Sequence, residues 1–263
     1  MAATDQPHDD AERVVHVEVA DGIATITLDS QHNRNALSRQ LLVQLDRALD
    51  AAEAADARAI VLTHRGPAFC AGADLKERAT EGSTSNDSTP FFDILGRLMD
   101  TPSPTIAAVQ GAVRAGGIGL MASCDLVVVQ DTTTFALTEV RIGVAAAIIS
   151  VPILARVPAS RIAAAMLTGE AFDADEARSM GLVTHVTDDV PATVTSLCDG
   201  LRQGAPRAVA ETKRILRTVP AMERSQAFAE MGALSNELFS GPDAAEGMAA
   251  FRERRRPSWA PET

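Results

Sequence analysis

The stretch AVQGAVRAGGIGLMASCDLVVVQ, Ala108 to Gln130, decides the fold. Two apolar runs, PTIAAVQ (Pro104–Gln110) and DLVVVQ (Asp125–Gln130), flank a glycine-rich segment and read as buried strands. Gly117 to Ala122 fits part of a dinucleotide-binding pattern, but that fingerprint needs its first glycine directly after a strand and then a long helix. Here Gly111 to Ala115 intervenes, and a helix opening near Gly116 must end by Cys124. That falls short of the roughly ten to twelve residues of a crossover. No GxxxxGK[ST] is present, which excludes a P-loop. The glycines either permit close packing or shape a loop for some other ligand.

A second stretch, RGPAFCAGADLKE (Arg65–Glu77), also follows a strand-like run and enters a helix through small residues. Two such turns can each aim one unblocked backbone N–H at a shared point, and a pair of donors makes an oxyanion hole. Glycine and alanine suit the purpose because a larger side chain would obstruct an approaching carbonyl.

Around these turns the pattern is α/β. RVVHVEVADGIATITLD (Arg13–Asp29) predicts a β-hairpin turning at Asp21-Gly22. Leu41, Leu42, Leu45 and Leu49 recur at helical spacing behind a Ser38 N-cap. RAIVLT (Arg58–Thr63) is a buried strand, and TTTFAL a short one. Ala79–Thr89 is polar and turn-rich, hence a mobile loop, and a helix starts at Thr89-Pro90. Asp173 and Glu176 form a capping box closed by Gly181. From Val190 the pattern is helical, with breaks at Gly204–Pro206, Pro220 and Gly241-Pro242. Three parts follow: a disordered tail over residues 1–12, an α/β core over 13–189 and a helical region over 190–263.

Composition narrows the function. A net charge of −11 opposes a phosphate-tracking surface for nucleic acid. Cys70, Cys124 and Cys198 form no CxxC pair, which suits a reducing, cytoplasmic setting. The acidic N-terminus has no apolar h-region, and no apolar run has membrane-spanning length. His8, His16, His32, His64 and His185 show no metal-ligand spacing. Ser123 lacks a GxSxG elbow, and the chain contains no tyrosine to act as a phenol donor.

Six segments in order, NRNALS at Asn33, AFCAGADLKE at Ala68, AAVQGAVRAGGIGLMASCD at Ala107, FALTEVRIGV at Phe135, LTGEAFDADEARSMGLV at Leu167 and EGMAAFRERRRP at Glu246, resemble the crotonase (enoyl-CoA hydratase/isomerase) family. The resemblance spans about Val14 to Pro257 and implies a spiral of repeated ββα units with a C-terminal helical trimerisation region. It implies an enolate of an acyl-CoA thioester, held by the N–H groups of Ala73 and Gly116, with Glu139 as the catalytic acid–base group. CoA, part of the substrate rather than a cofactor, is expected near Arg34, Ala36, Ala71, Asp74, Leu75 and Lys76. Phe251 and Arg254 to Arg256 would reach phosphates of a neighbouring subunit in a homotrimer or dimer of trimers.

One position departs from the family. Its hydratases carry a second glutamate where this chain has Gly119, a residue also compatible with positive φ. Asp93, Glu77 and Glu81 are candidates for a replacement acid. The EVRIG stretch followed by AAAIIS is similar to methylglutaconyl-CoA hydratase-like members, so the expectation is a hydratase. A Δ3,Δ2-enoyl-CoA isomerase using Glu139 alone and a non-catalytic acyl-CoA-binding protein are the alternatives.

Overall fold

The structure, a computed structural model, describes residues 12–81 and 89–261. Residues 1–11 of the expected disordered tail and 82–88 of the expected mobile loop lie outside the described residues, while residues 79–81, expected in that loop, are helical instead. In chain order the elements are β1 (Val15–Ala20), β2 (Ile23–Leu28), α1 (Arg39–Ala54), β3 (Ala59–His64), β4 (Ala68–Cys70), α2 (Leu75–Glu81) and α3 (Thr89–Asp100). Then come β5 (Thr105–Val109), β6 (Ala112–Arg114), α4 (Gly116–Ala122), β7 (Leu126–Gln130), β8 (Thr134–Ala136), α5 (Ala147–Arg156) and α6 (Ala159–Thr168). The remainder is β9 (Ala171–Asp173), α7 (Ala174–Met180), β10 (His185–Thr187), α8 (Val190–Gln203), α9 (Pro206–Thr218), α10 (Arg224–Phe239) and α11 (Pro242–Glu253).

Two sheets result. The larger runs β1-β2-β3-β5-β7-β10, parallel except for the β1–β2 hairpin. That hairpin turns through Asp21 and Gly22, both at positive φ, as a two-residue turn matched to strand twist requires. The smaller sheet runs β4-β6-β8-β9 and is parallel from β4 to β8. Three successive turns of chain each lay one strand in the larger sheet, the next in the smaller, and then a helix: β3–β4, β5–β6 and β7–β8. The ββα spiral is therefore real, but the first hairpin is no member of it, because both its strands pair in the larger sheet.

Local signals explain the elements. Ser38 Oγ accepts from Leu41 N, and Leu41, Leu45 and Leu49 bury one face of α1. Asp173 and Glu176 cap α7 reciprocally, and Gly181 ends it in the left-handed region. Strand β3 is buried on both faces, as a strand flanked by parallel neighbours must be. Among the described residues no helix is long and apolar enough to cross a membrane.

The helical region from residue 190 is not a separate packing unit. Val190 and Cys198 of α8 share a core with Val61, Ile106, Ala108 and Val128 of the larger sheet. Arg58 donates to the carbonyls of Arg202, Gly204 and Trp259, and Trp259 Nε1 donates to Gln203 O, so the chain end returns to α8. Asp125, which closes the glycine stretch, is an anchor. Its Oδ2 lies 2.8 Å from Lys213 Nζ of α9 and accepts from Thr105 N at 2.7 Å and Thr105 Oγ1 at 3.0 Å. Lys213 is buried and also donates to Leu98 O and Ser103 O. Removing one partner of a buried pair strands the other charge. We expect Lys213→Ala to cost about 3 kcal/mol in urea unfolding, the low end for such pairs because Asp125 keeps its Thr105 donors.

Candidate active site

The smaller sheet assembles the site. Ala68 pairs with Ala112 and Cys70 with Val113, while Val113 pairs with Phe135 and Arg114 with Ala136. Because β4, β6 and β8 are parallel neighbours, their C-terminal ends share one edge, the place where ligands bind in such sheets. Strand β4 runs out into Ala71–Ala73, β6 into Ala115–Gly116, and β8 through Leu137 to Glu139. Ala115 N donates to Ala136 O at 2.9 Å, extending the ladder to the start of α4. The three residues expected to do the chemistry thus leave adjacent strand ends.

The first two turns nearly touch. Gly72 has φ 88°, and a Cβ built there would lie 2.8 Å from Ala115 Cβ and 3.4 Å from Gly116 N. Only glycine meets both the backbone and the space requirement. Ala115, at φ 47° and ψ −120°, holds a conformation that non-glycine residues rarely adopt, and such strain concentrates at functional sites. Among the described residues neither Ala73 N–H nor Gly116 N–H has an acceptor. Gly116 opens α4, so its N–H has no intrahelical partner in any case.

Asn33–Leu37 locks onto the first turn. Ala71 N donates to Arg34 O and Leu37 N to Gly72 O, with Arg34 and Asn35 at positive φ. Asn33 Nδ2 reaches Asp74 Oδ2 at 3.0 Å, and Asp74 Oδ1 caps α2 by accepting from Lys76 N and Glu77 N. Burial opposes ionisation of Asp74, but these donors outweigh it and hold the carboxyl below its usual range. Arg34, Ala71, Asp74, Leu75 and Lys76 therefore form one ridge beside the turn. Ala36 is less available, because its side chain is buried, its N–H donates to Asn33 O and its C=O accepts from Ser38 N. Sequence reasoning passed over Asn35, whose buried amide ties the ridge together through Ser30 N, Arg65 O and Ala68 O. An amide in a glycine-poor turn was its only signal.

Glu139 begins a 3-10 turn, Glu139–Ile142. Its carboxyl is half-buried, and Oε2 has no hydrogen-bond partner among the described residues. Burial pushes its pKa above the ordinary carboxylate value. The candidate replacement acids are otherwise placed. Glu77 accepts from Arg39 N at the start of α1, Asp93 is exposed on α3, and the Glu81 side chain lies outside the described residues. Ser123 Oγ donates to Gly119 O within its own turn, a purely local bond. In the basic C-terminal segment Arg255 is engaged by Glu246 and Glu253, whereas Phe251 and Arg254 project outward. A cavity of about 350 Å³ lies elsewhere, between α8 and the larger sheet, lined by Val61, Ala108, Val194 and Cys198 and by none of the candidate residues.

Comparison with known proteins shows the family. Residues 18–262 match the family model for enoyl-CoA hydratase/isomerase. The chain belongs to the crotonase family. A Thermus thermophilus protein named "Putative enoyl-CoA hydratase" is 38% identical over 92% of this chain and 99% of its own. The mevalonyl-coenzyme A hydratase of Aspergillus fumigatus is 32% identical over 91% and 92%. The solved enoyl-CoA hydratase of Mycobacterium smegmatis superposes with a TM-score of 0.88 at 30% identity, over 94% of this chain and 99% of that one.

In this crotonase Gly119 lies inside α4 without positive φ, so backbone freedom is not why glycine stands there. The reason is α5. A Cβ on Gly119 would sit 2.6 Å from Ile149 Cβ and 3.3 Å from Ile149 Cα. Backbone as well as side chain would have to move. Alanine is the better helix former by about 1 kcal/mol, but overpacking a tight contact costs about 1–3 kcal/mol. We expect Gly119→Ala to destabilise the protein in urea titration. An Ile149→Ala background should reduce that cost by about 1 kcal/mol, as coupling between touching residues requires.

Proposed function

We propose that this crotonase is an enoyl-CoA hydratase, with Glu139 as its proton carrier and the N–H groups of Ala73 and Gly116 as its oxyanion hole. The observation that carries the proposal is the shared strand edge: three neighbouring strand ends lead to two N–H groups without acceptors and to a buried carboxyl oxygen without a donor, among the described residues. Names printed for similar relatives, which include enoyl-CoA hydratase and mevalonyl-coenzyme A hydratase, support the same reading. The thioester carbonyl would accept from both N–H groups, each contributing about 3 kcal/mol as charge develops on its oxygen. Ionised Glu139 takes a proton from water as the water oxygen bonds to Cβ. The Cα–Cβ π electrons become the enolate on the thioester oxygen. Glu139 then returns the proton to Cα, leaving a 3-hydroxyacyl-CoA with every atom of water accounted for. Burial makes the carboxylate a stronger base than an exposed glutamate, which suits the first step. Free, buried cysteines are compatible with a cytoplasmic setting.

Glu139→Gln keeps size and removes the base. We expect kcat on crotonyl-CoA or a branched enoyl-CoA to fall about 10²–10⁴-fold with CoA-ester affinity retained. Undiminished kcat would reject the assignment. Wild-type kcat/KM should fall as pH drops through a value above the ordinary glutamate pKa, because the ionised form is required. The linkage runs the opposite way for stability. A carboxyl raised on folding stabilises only while protonated, and that contribution is lost as pH rises through the folded pKa. At pH 7, therefore, Glu139→Gln should melt no lower than wild type.

The assembly we propose is a homotrimer or dimer of trimers. Leu234 is buried within the chain and Met231 and Leu238 partly so, but Phe228, Phe239 and Phe251 are 76%, 72% and 85% exposed. Aromatic side chains this exposed on the helical region mark a surface that another subunit covers. Light scattering at micromolar concentration should give three or six times the 27.7 kDa chain mass, and a monomer would reject it.

A further inference from the structure

The acid sits on a segment with little to hold it. Residues 138–148, from the end of β8 to the start of α5, include no fully buried residue, and in the 3-10 turn that opens with Glu139 only Glu139 is even half-buried. Its turn-forming backbone bonds are local: Arg141 N to Thr138 O, Gly143 N to Glu139 O and Val140 O, Val144 N to Glu139 O and Ala147 N to Ala145 O. A turn of this kind, with Val140 and Ile142 exposed in it and Val144 exposed after it, has little packing of its own to fix a carboxyl within the tolerance that proton transfer needs.

One side chain of the turn reaches a rigid neighbour. Arg141 Nε donates to Thr168 O at 3.1 Å, and its Nη2 donates to Glu170 Oε1 at 2.6 Å. Thr168 is the last residue of α6, so its carbonyl lacks an intrahelical donor and lies at the negative end of the helix dipole, where a guanidinium is favoured. The seat is itself ordered. Gly169 N donates to Ala165 O, Thr168 Oγ1 to Ala164 O, and Glu170 N to Thr168 Oγ1. Gly169, at φ 67°, lets the arginine lie flat against the backbone, since a Cβ there would be 2.9 Å from Arg141 Nε and 3.2 Å from its Cδ. The fork spans a carbonyl and a carboxylate at once, a geometry that a lysine cannot reproduce.

We propose that Arg141 is a positioning residue for Glu139, and that its clamp on the Thr168–Glu170 turn sets where the carboxyl stands relative to the substrate. Both arginine and glutamate are largely exposed, so the pair adds little to global stability. Its effect falls on the placement of the turn. This inference rests on Glu139 being the proton carrier.

The test compares Arg141→Ala, Arg141→Lys and Glu139→Gln in the full chain, with steady-state kinetics on crotonyl-CoA and thermal melting. Arg141→Ala should lower kcat about 10- to 100-fold, the scale of a displacement near 1 Å at the reacting group. KM and melting temperature should stay close to wild type. Arg141→Lys, which can satisfy one acceptor of the two, should recover part of kcat. Full kcat in Arg141→Ala, with turnover lost in Glu139→Gln, would overturn the clamp alone. A joint fall of kcat and melting temperature without rescue by lysine would also overturn it, in favour of a structural role. Retained turnover in Glu139→Gln would remove the proton carrier and this proposal together.

Discussion

The close approach of Gly72 to the Ala115–Gly116 peptide is the constraint on which the site depends. It brings two strand-to-helix turns, separated by more than forty residues of chain, to within van der Waals contact. Parallel pairing of β4 with β6 sets the direction of both turns, and the missing side chain at residue 72 sets their spacing. Leu37 packs over the same point, where a Cβ on Gly116 would lie 2.6 Å from Leu37 Cδ1. The NRNAL segment is therefore part of the same construction, held by Leu37 N to Gly72 O.

The edge so formed leaves polar groups unmatched. Among the described residues two N–H groups lack acceptors, and a buried oxygen of the Glu139 carboxyl lacks a donor. The buried oxygen costs stability in the folded chain. Charged anchors brace the elements around it. Asp125 and Lys213 pair in a buried site with further bonds to Thr105, Leu98 and Ser103. Arg97 on α3 binds Asp46, Asp50 and Glu53 on α1, bracing the helix that carries Phe91 beside Gly116. Rigid surroundings of this kind let an unsatisfied edge persist until a ligand completes it.

Gly119 and Ile149 show how packing limits chemistry. The α4–α5 contact is so close that α4 has no room for a side chain at residue 119. A second acid cannot enter at that position without moving α5, and α5 is continuous with the segment that carries Glu139. The glycine at residue 119 is thus tied to the helix packing, not an isolated substitution.

Much was legible in the sequence because the signals are local. The hairpin turn at Asp21-Gly22, the Ser38 cap, the capping box at Asp173 and Glu176 and the apolar periodicity of α1 each depend on residues a few positions apart. Glycine spacing likewise ruled out a nucleotide crossover, since α4 ends at Ala122. The ordered motifs marked Ala73, Gly116 and Glu139 as candidates but not what surrounds them. Strands β4, β6, β9 and β10 were missed, because three residues are too few to show alternation and their partners are distant in sequence. Tertiary structure alone decided that Asp125 anchors Lys213, that Gly119 yields to Ile149 and that Arg141 reaches Thr168. Each of these is a contact between segments whose separation only the folded sheets determine, and no local pattern encodes which side chain will fill a given space.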